Sequence, residues 1–162
     1  MLDTARLILR PLTLADAPFI LRLVTQASWR QFIGDKGVHD VDSAERYLRE
    51  GPMAMQTQHG FALQLVALRA GGTPIGVCGL LKRDSLPDPD LGFALLDEYA
   101  GHGYAFEAAR AVIDDAETRL GVGRLLAIAT PDNARSAALL ARLGFRTEGQ
   151  IDNGALTLFA RP

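Results

Sequence analysis

The sequence has one cysteine and almost no net charge. Because Cys78 is alone, the chain has no internal disulfide and no zinc site built from several cysteines. A formal net charge of −2, from 17 basic and 19 acidic side chains, argues against a dedicated nucleic-acid surface. No apolar run approaches the ~20 residues of a transmembrane helix, and the first residues lack a signal-peptide pattern. We therefore expect a cytoplasmic protein that binds neither nucleic acid, membrane nor metal.

The composition is that of an ordinary globular chain. Apolar residues make up 48% and charged residues 22% of the 162 positions, in line with typical globular domains. A chain of this length can bury most of its apolar surface in one core. We expect one domain that spans residues 1–162.

Periodicity predicts alternating strands and helices in the order βααβββαβαββ. Between the first and second helices, residues 28–39 show no regular pattern. The predicted strands cover residues 5–12, 61–69, 74–82, 91–95, 124–130, 145–150 and 156–160. The four predicted helices cover 13–27, 42–50, 105–120 and 131–143, and residues 53–58 are expected to form a further turn or short helix.

Several local signals support these boundaries. Thr13 and Asp16 resemble a capping box, Asp42 is expected to cap the second helix, and Gly51-Pro52 is expected to interrupt it. Gly144 is placed to end the last helix as its C′ residue. Arg6 and Arg10 are expected to share a face of the first strand as solvated charges. Cys78 is expected to be a packed residue without an activating base.

The junction between the 91–95 strand and the following helix is the most informative stretch. Gly101 and Gly103 lie immediately before the helix. A helix start offers unpaired N–H groups and a positive dipole end, and glycines let an anion approach them. A phosphate site and a tight turn that merely needs glycine are both compatible with this pattern. A dinucleotide fingerprint fails because Phe106 replaces its third small residue, and a P-loop fails because the turn has no lysine.

Three motifs in order resemble those of the GNAT acetyltransferase superfamily, in particular its RimJ/RimL-type N-acetyltransferases. They are DLGFAL at 90–95 followed by YAGHGYAFEA at 99–108, PDNARS at 131–136 followed by Gly144-Phe145, and the opening TARLILRP at 4–11. The resemblance spans nearly the whole chain. It implies the GNAT fold, a mixed α/β architecture with a central, mostly antiparallel sheet flanked by helices.

The resemblance also implies acetyl-CoA as the cofactor. Phe93, Ala94 and Leu95 would form the strand edge that pairs with pantetheine, and an N–H near Ala94 or Leu95 would stabilise the thioester oxyanion. Asn133 would hydrogen-bond the CoA arm, although asparagine is also a favoured helix N-cap. The pyrophosphate would lie on the amides of Gly101, His102, Gly103, Tyr104 and Ala105.

Two side chains are candidates for proton transfer. Asp90 matches the acidic position of the family strand and is predicted to be the general base, with Asp84 and His102 as rivals; the alternative is an exposed carboxylate at a strand start. Ser136 is predicted to bind CoA and to protonate the departing thiolate, where many relatives use tyrosine. An exposed helix serine without function is the alternative.

The predicted activity is direct acetyl transfer from acetyl-CoA to a primary amine, either a protein N-terminal α-amine or a small-molecule amine. Trp29, Phe32 and His59 are candidate contacts of that acceptor. A non-catalytic acyl-CoA-binding module is the alternative, and a nucleotide-binding oxidoreductase is disfavoured by the failed dinucleotide motif. A homodimer is a further expectation.

Overall fold

A computed structural model describes all residues 1–162. Its centre is an eight-stranded sheet in the order β1-β2-β3-β4-β5-β6-β8-β7. Seven strands agree with the sequence prediction to within a few residues, and β1 was not predicted. The strands are β1 (Leu2–Asp3), β2 (Leu7–Pro11), β3 (Leu63–Leu68), β4 (Pro74–Leu81), β5 (Asp90–Leu95), β6 (Leu125–Ala129), β7 (Arg146–Ile151) and β8 (Leu156–Arg161).

Neighbouring strands run antiparallel except β5 and β6. That parallel pair meets at a single position, Asp90 opposite Leu126, where the Leu126 N–H donates to the Pro89 carbonyl at 2.9 Å. Beyond this point the two strands diverge. The mostly antiparallel mixed α/β fold predicted above is confirmed, and it contains an opening in its sheet.

Six helices surround the sheet, and none is long and apolar enough to cross a membrane. The main helices α5 and α6 follow β5 and β6, as predicted. The helices are α1 (Ala17–Thr25), α2 (Ala27–Phe32), α3 (Val41–Leu48), α4 (Ala54–His59), α5 (Tyr104–Thr118) and α6 (Ala134–Arg142).

The segment between β2 and β3 is more helical than predicted. Residues 27–32 form α2, so only the later part of the segment expected to be irregular lacks a helix. Asp40, and not Asp42, caps α3, because its carboxylate accepts the Ser43 N–H at 2.8 Å. Gly51-Pro52 does not break the chain's helical path: Arg49–Met53 form a π-helical turn that joins α3 to α4. A wider turn can accommodate the proline that an α-helix would reject.

Strand alternation divides the core between the two faces of the sheet. Cys78 and Leu80 face α5, whereas Val77 and Leu65 face α1 and α3. Burial raises the pKa of the Cys78 thiol to about 12, so it stays protonated and unreactive at neutral pH. The prediction of a packed cysteine is confirmed.

Arg10 is not the freely solvated charge expected from sequence. Its guanidinium donates to both carboxylate oxygens of Asp16, at 2.7 and 2.9 Å. Asp16 also accepts the Thr13 N–H at 2.8 Å, which confirms the predicted cap. Burial opposes the charge on Asp16, but the hydrogen bonds from Arg10 and Thr13 outweigh it, and the pKa of this carboxyl is lowered. The pair ties β2 to the start of α1.

The close approach of β3 to β4 predicts that Gly79 cannot carry a side chain. A Cβ there would lie 2.1 Å from the Ala62 carbonyl oxygen and 2.8 Å from Leu63 Cα, both backbone atoms that cannot move aside. We expect Gly79→Ala to lower the free energy of unfolding by about 1–3 kcal/mol or more, as overpacking does. Urea unfolding followed by circular dichroism measures this.

The matched control is Gly51→Ala. Its Cβ would meet nothing within 4 Å, and alanine favours a helical backbone by roughly 0.5–1 kcal/mol over glycine. The control should therefore be neutral or slightly stabilising. Equal destabilisation by both substitutions would contradict the proposed packing.

Candidate functional site

The divergence of β5 from β6 opens a cleft of about 1050 Å³. The start of α5 and the start of α6 line one part of it, and α2, α3 and the turn after β4 line the rest. It brings together most of the predicted site residues, which lie far apart in sequence. Those it includes are Trp29, Phe32, Asp90, Phe93, Ala94, Leu95, Gly101, Gly103, Tyr104, Ala105, Asn133 and Ser136.

The glycine turn has the geometry that an anion site needs. Gly101 and Gly103 have φ of +80° and +82°, in the left-handed region that glycine tolerates and other residues avoid. The N–H of Glu107 donates to the Gly103 carbonyl at 3.1 Å, the first bond of α5. The N–H groups of Tyr104 and Ala105 have no backbone acceptor. The cleft thus ends on the positive pole of a helix.

Arg6 holds this turn in place and is therefore not a free surface charge. Its Nε donates to Glu107 Oε2 at 2.7 Å, and its Nη1 donates to the His102 carbonyl at 3.0 Å. The guanidinium also lies 4.4 Å from the centre of the Tyr104 ring. Glu107 further accepts the Thr4 hydroxyl at 2.6 Å. Burial opposes the charge on Glu107, but these hydrogen bonds outweigh it and lower the pKa of the carboxyl.

His102 itself points away from the cleft. Its side chain is exposed, and the residue does not line the cavity. As a rival base it is therefore misplaced, and the same holds for the exposed Asp84.

The edge of β5 that faces the opening carries unpaired backbone groups. The Leu96 N–H donates to the Ile75 carbonyl at 2.8 Å, and antiparallel alternation then directs the N–H of Ala94 toward β4 as well. Phe93 and Leu95 direct theirs toward the cleft. Of the two positions considered from sequence for an oxyanion donor, the geometry favours Leu95 over Ala94.

Asn133 caps α6 at the opposite wall. Its Oδ1 accepts the Ser136 N–H at 3.1 Å, so the capping role considered from sequence is present. The side-chain amide is left as a donor beside the cleft. Ser136 follows on the first turn of α6 and is half-buried.

Asp90 lies where β5 and β6 part. It is not an exposed carboxylate at a strand start, since only 1% of it is accessible. Burial raises the pKa of its carboxyl, although Arg83 opposes the shift by donating its Nε to both oxygens at 3.1 and 3.2 Å. A buried carboxyl with a raised pKa in a cleft is a candidate for exchanging protons with a bound group.

The acceptor wall differs in part from the prediction. Trp29, which is 4% exposed, and Phe32 line the cleft from α2. His59 does not: it lies at the end of α4 and stacks on Phe61, with ring centres 5.6 Å apart. Its residue type and its place in the sequence favoured a contact with the acceptor, but α4 directs its side chain away from the cleft.

Six charged residues that line the cleft were not predicted as site residues: Lys36, Arg83, Asp97, Asp132, Arg135 and Arg142. Lys36 comes from the segment after α2, and Arg83 from the turn after β4. Neither stands in a motif. The only signal for Arg83 is its position in the turn that leads to Asp90, and that turn reads equally well as a surface loop.

The sequence matches the family model of the acetyltransferase (GNAT) domain over residues 6–146. Among characterised and uncharacterised relatives, it is 25% identical over 152 residues to the uncharacterized N-acetyltransferase YoaA of Bacillus subtilis, covering 93% of this chain and 85% of that one. It is 41% identical over 59 residues to the ribosomal protein uS5-alanine N-acetyltransferase of Escherichia coli, covering 36% of this chain and 30% of that one.

Solved structures agree with the fold. A crystal structure of an acetyltransferase from Agrobacterium tumefaciens superposes with a TM-score of 0.85 at 27% identity, covering 99% of this chain and 93% of that one. RimL, a ribosomal L7/L12 α-N-protein acetyltransferase solved in complex with coenzyme A, superposes with a TM-score of 0.82 at 20% identity, covering 98% and 94%. The chain therefore belongs to the GNAT acetyltransferase family and is an acetyltransferase that uses acetyl-CoA.

Proposed function

We propose that the protein transfers the acetyl group of acetyl-CoA directly to a primary amine, either a protein N-terminal α-amine or a small-molecule amine. The observation that carries this proposal is the buried Asp90, with its raised pKa, at the point where β5 and β6 part. There a carboxylate can take a proton from an amine that attacks beside the free edge of β5.

The chain's own groups fit the bound cofactor. When bound, acetyl-CoA supplies the activated acetyl group. The amides of Gly101, His102, Gly103, Tyr104 and Ala105 would hold its pyrophosphate, with the free N–H groups at the start of α5 closest to the cleft. The edge of β5 from Phe93 to Leu95 would hold the pantetheine amides, and Asn133 would donate to the same arm.

Proton transfer defines the roles of the remaining residues. An ammonium has no lone pair and cannot attack, so Asp90 would remove its proton, directly or through one water. The Leu95 N–H would stabilise the negative charge on the thioester oxygen. Ser136 would donate a proton to the departing thiolate. The lysine ε-amine, with a pKa near 10.4, needs this base far more than an α-amine with a pKa near 8.

Asp90→Asn tests the base. We expect kcat to fall by about 10²–10⁴-fold, the range for loss of a general base, while the affinity for acetyl-CoA is unchanged. Because the folded carboxyl has a raised pKa, wild-type activity should rise with pH as Asp90 ionises, above the range usual for aspartate. The pH profile of the variant should lose this rise and retain only the pH dependence that comes from ionisation of the acceptor amine.

Asp88→Asn is the matched control. Asp88 lies two residues away, pairs with Arg124 at 3.1 Å and does not line the cleft. It should leave the pH profile as it is. If Asp90→Asn leaves turnover and its pH profile unchanged, Asp90 is not the base; if the wild type binds acetyl-CoA and turns over no amine, the non-catalytic acyl-CoA-binding module is the better description.

Ser136→Ala tests the general acid. Loss of a proton donor should lower kcat by about 10²-fold or more with a basic thiolate leaving group. Cofactor binding should change little, since the Ser136 N–H that bonds Asn133 is retained. A kcat equal to that of the wild type would show that the serine hydroxyl is not the donor.

Gly103→Trp tests the pyrophosphate site. Thermal unfolding with acetyl-CoA at 100 times its dissociation constant should stabilise the wild type by about 2.7 kcal/mol, or several degrees for this chain length. The tryptophan should abolish this shift. Its Cβ would lie 3.3 Å from Arg6 Nη2, so the large side chain would either displace Arg6 from the turn or occupy the place of the phosphates, and both outcomes remove the binding site.

The control for backbone strain is Gly121→Trp. Gly121 lies just beyond the other end of α5 with a φ of +65°, outside the cleft, so it incurs the same kind of left-handed strain as Gly103. Strain of this kind costs roughly 1–2 kcal/mol per residue, and both variants should melt lower than the wild type. Only Gly103→Trp should lose the response to acetyl-CoA. A retained response there would remove the glycine turn from the cofactor site.

Two expectations remain predictions. The cytoplasmic location is to be checked by cell fractionation, and the homodimer by sedimentation equilibrium with and without acetyl-CoA.

A further inference from the structure

Lys36 is a cation of the cleft without an anionic partner. It lines the cavity from the segment after α2. Eleven ion pairs within 4.0 Å form in the chain, and Lys36 takes part in none of them. Lys36 is exposed at the part of the cleft that is open to solvent, so its ammonium is available to a ligand that enters there.

Arg83 contributes a second positive group to the same part of the cleft. Its Nε is bonded to Asp90, and this is its one ion pair. The bonded nitrogen is the inner one, so the terminal nitrogens of the guanidinium remain for another acceptor. A guanidinium can donate through both of its edges and often binds a second carboxylate.

These two cations influence each other. Burial, and then the charge of Arg83, lower the pKa of Lys36. Neighbouring like charges repel, and an anion bound by both of them relieves the repulsion.

Two carboxylates, Asp90 and Asp97, line this part of the cleft, and neither pairs with Lys36. Asp90 is engaged by Arg83, and Asp97 accepts the Ser28 hydroxyl at 2.6 Å. A further donor is unused as well: the indole N–H of Trp29, also a lining residue, is buried and has no partner in the chain. Lys36, the terminal nitrogens of Arg83 and the indole N–H of Trp29 are therefore donors of the acceptor end that have no anionic partner in the chain.

We propose that the acceptor amine carries a carboxylate, which Lys36 and Arg83 bind while the amine lies toward Asp90. This inference rests on the proposed acetyl transfer and names its substrate class. The same chemistry is offered by a free amino acid and by a peptide whose N-terminal region contains an acidic side chain.

The test compares acceptors that differ only in that carboxylate. Amino acids are assayed against their own C-terminal amides, and tripeptide amides with Asp or Glu at the second position against those with Asn or Gln. The variants are Lys36→Gln and, as the matched control, Arg30→Gln, an exposed cation on neighbouring α2 that does not line the cleft. The measured quantity is the ratio of wild-type to variant kcat/KM for each acceptor, in which the acceptor's own pKa cancels.

We expect Lys36→Gln to lower kcat/KM for the carboxylate-bearing acceptors by about 10- to 100-fold, the effect of losing a hydrogen bond to a charged group. The loss should appear in KM with kcat nearly unchanged, and the amides should be unaffected. Arg30→Gln should alter neither class. A preference for free amino acids identifies the small-molecule source, and a preference for acidic tripeptides identifies the peptide source.

Equal ratios for acids and amides, or a preference for the amides in the wild type, would overturn the inference while leaving acetyl transfer intact. Calorimetric binding of the same acceptors to the CoA-saturated protein separates the two proposals. Binding of a carboxylate that depends on Lys36, without turnover, supports this inference and refutes the proposed function. If no carboxylate-bearing amine binds or reacts better than its amide, the inference fails.

Discussion

The site exists because one pair of strands in the sheet is joined at only one point. A sheet is held together by ladders of backbone hydrogen bonds, and β5 and β6 meet only at Asp90 and Leu126. Past that point each strand needs another partner. A bound cofactor can supply it on the β5 side, so the fold converts missing sheet pairing into a binding edge. Asp90 sits at the vertex, which explains why it is both buried and part of the cleft.

The cofactor end depends on a second constraint, the fixed direction of the first turn of α5. Free N–H groups are useful only if they point at the place where the anion lies. Glycine permits the left-handed turn, but glycine alone also permits many others. Arg6 and Glu107 select one of them, because they join the start of β2 to the helix and to the His102 carbonyl. Of these two positioning residues, Arg6 is thus far from the turn in sequence, and only folding brings it there.

The acceptor end is built by a different rule. Its residues come from α2, the segment after it and the turn after β4, and their charges are incompletely matched within the chain. Proteins keep most buried polar groups paired, so the buried indole N–H of Trp29 is an exception, and the exposed Lys36 beside it forms no ion pair. A bound substrate can supply the hydrogen-bond acceptors that these donors lack within the chain.

The sequence was enough to determine most of the elements and the family. Hydrophobic periodicity located seven strands and the two helices that follow β5 and β6, and the order of the Gly101-x-Gly103 and Asn133 motifs indicated the acetyltransferase. Local physics underlies these signals, since alternation, helix periodicity and glycine turns act over a few residues. Where the local rule was ambiguous, the prediction failed: the π-helical turn absorbed Pro52, and Asp40 capped α3 in place of Asp42.

Only the tertiary structure decided what each candidate side chain contacts. It turned His59 toward Phe61 and away from the cleft, and it buried Asp90. It paired Arg6 and Arg10 with carboxylates and brought Lys36 and Arg83 to one cavity. These outcomes depend on which segments pack together across long separations in sequence. Burial and neighbouring charges then shift the pKa of each ionisable group from the ordinary value of its residue type. The chain by itself specifies the elements and the chemistry available, and packing decides which groups meet.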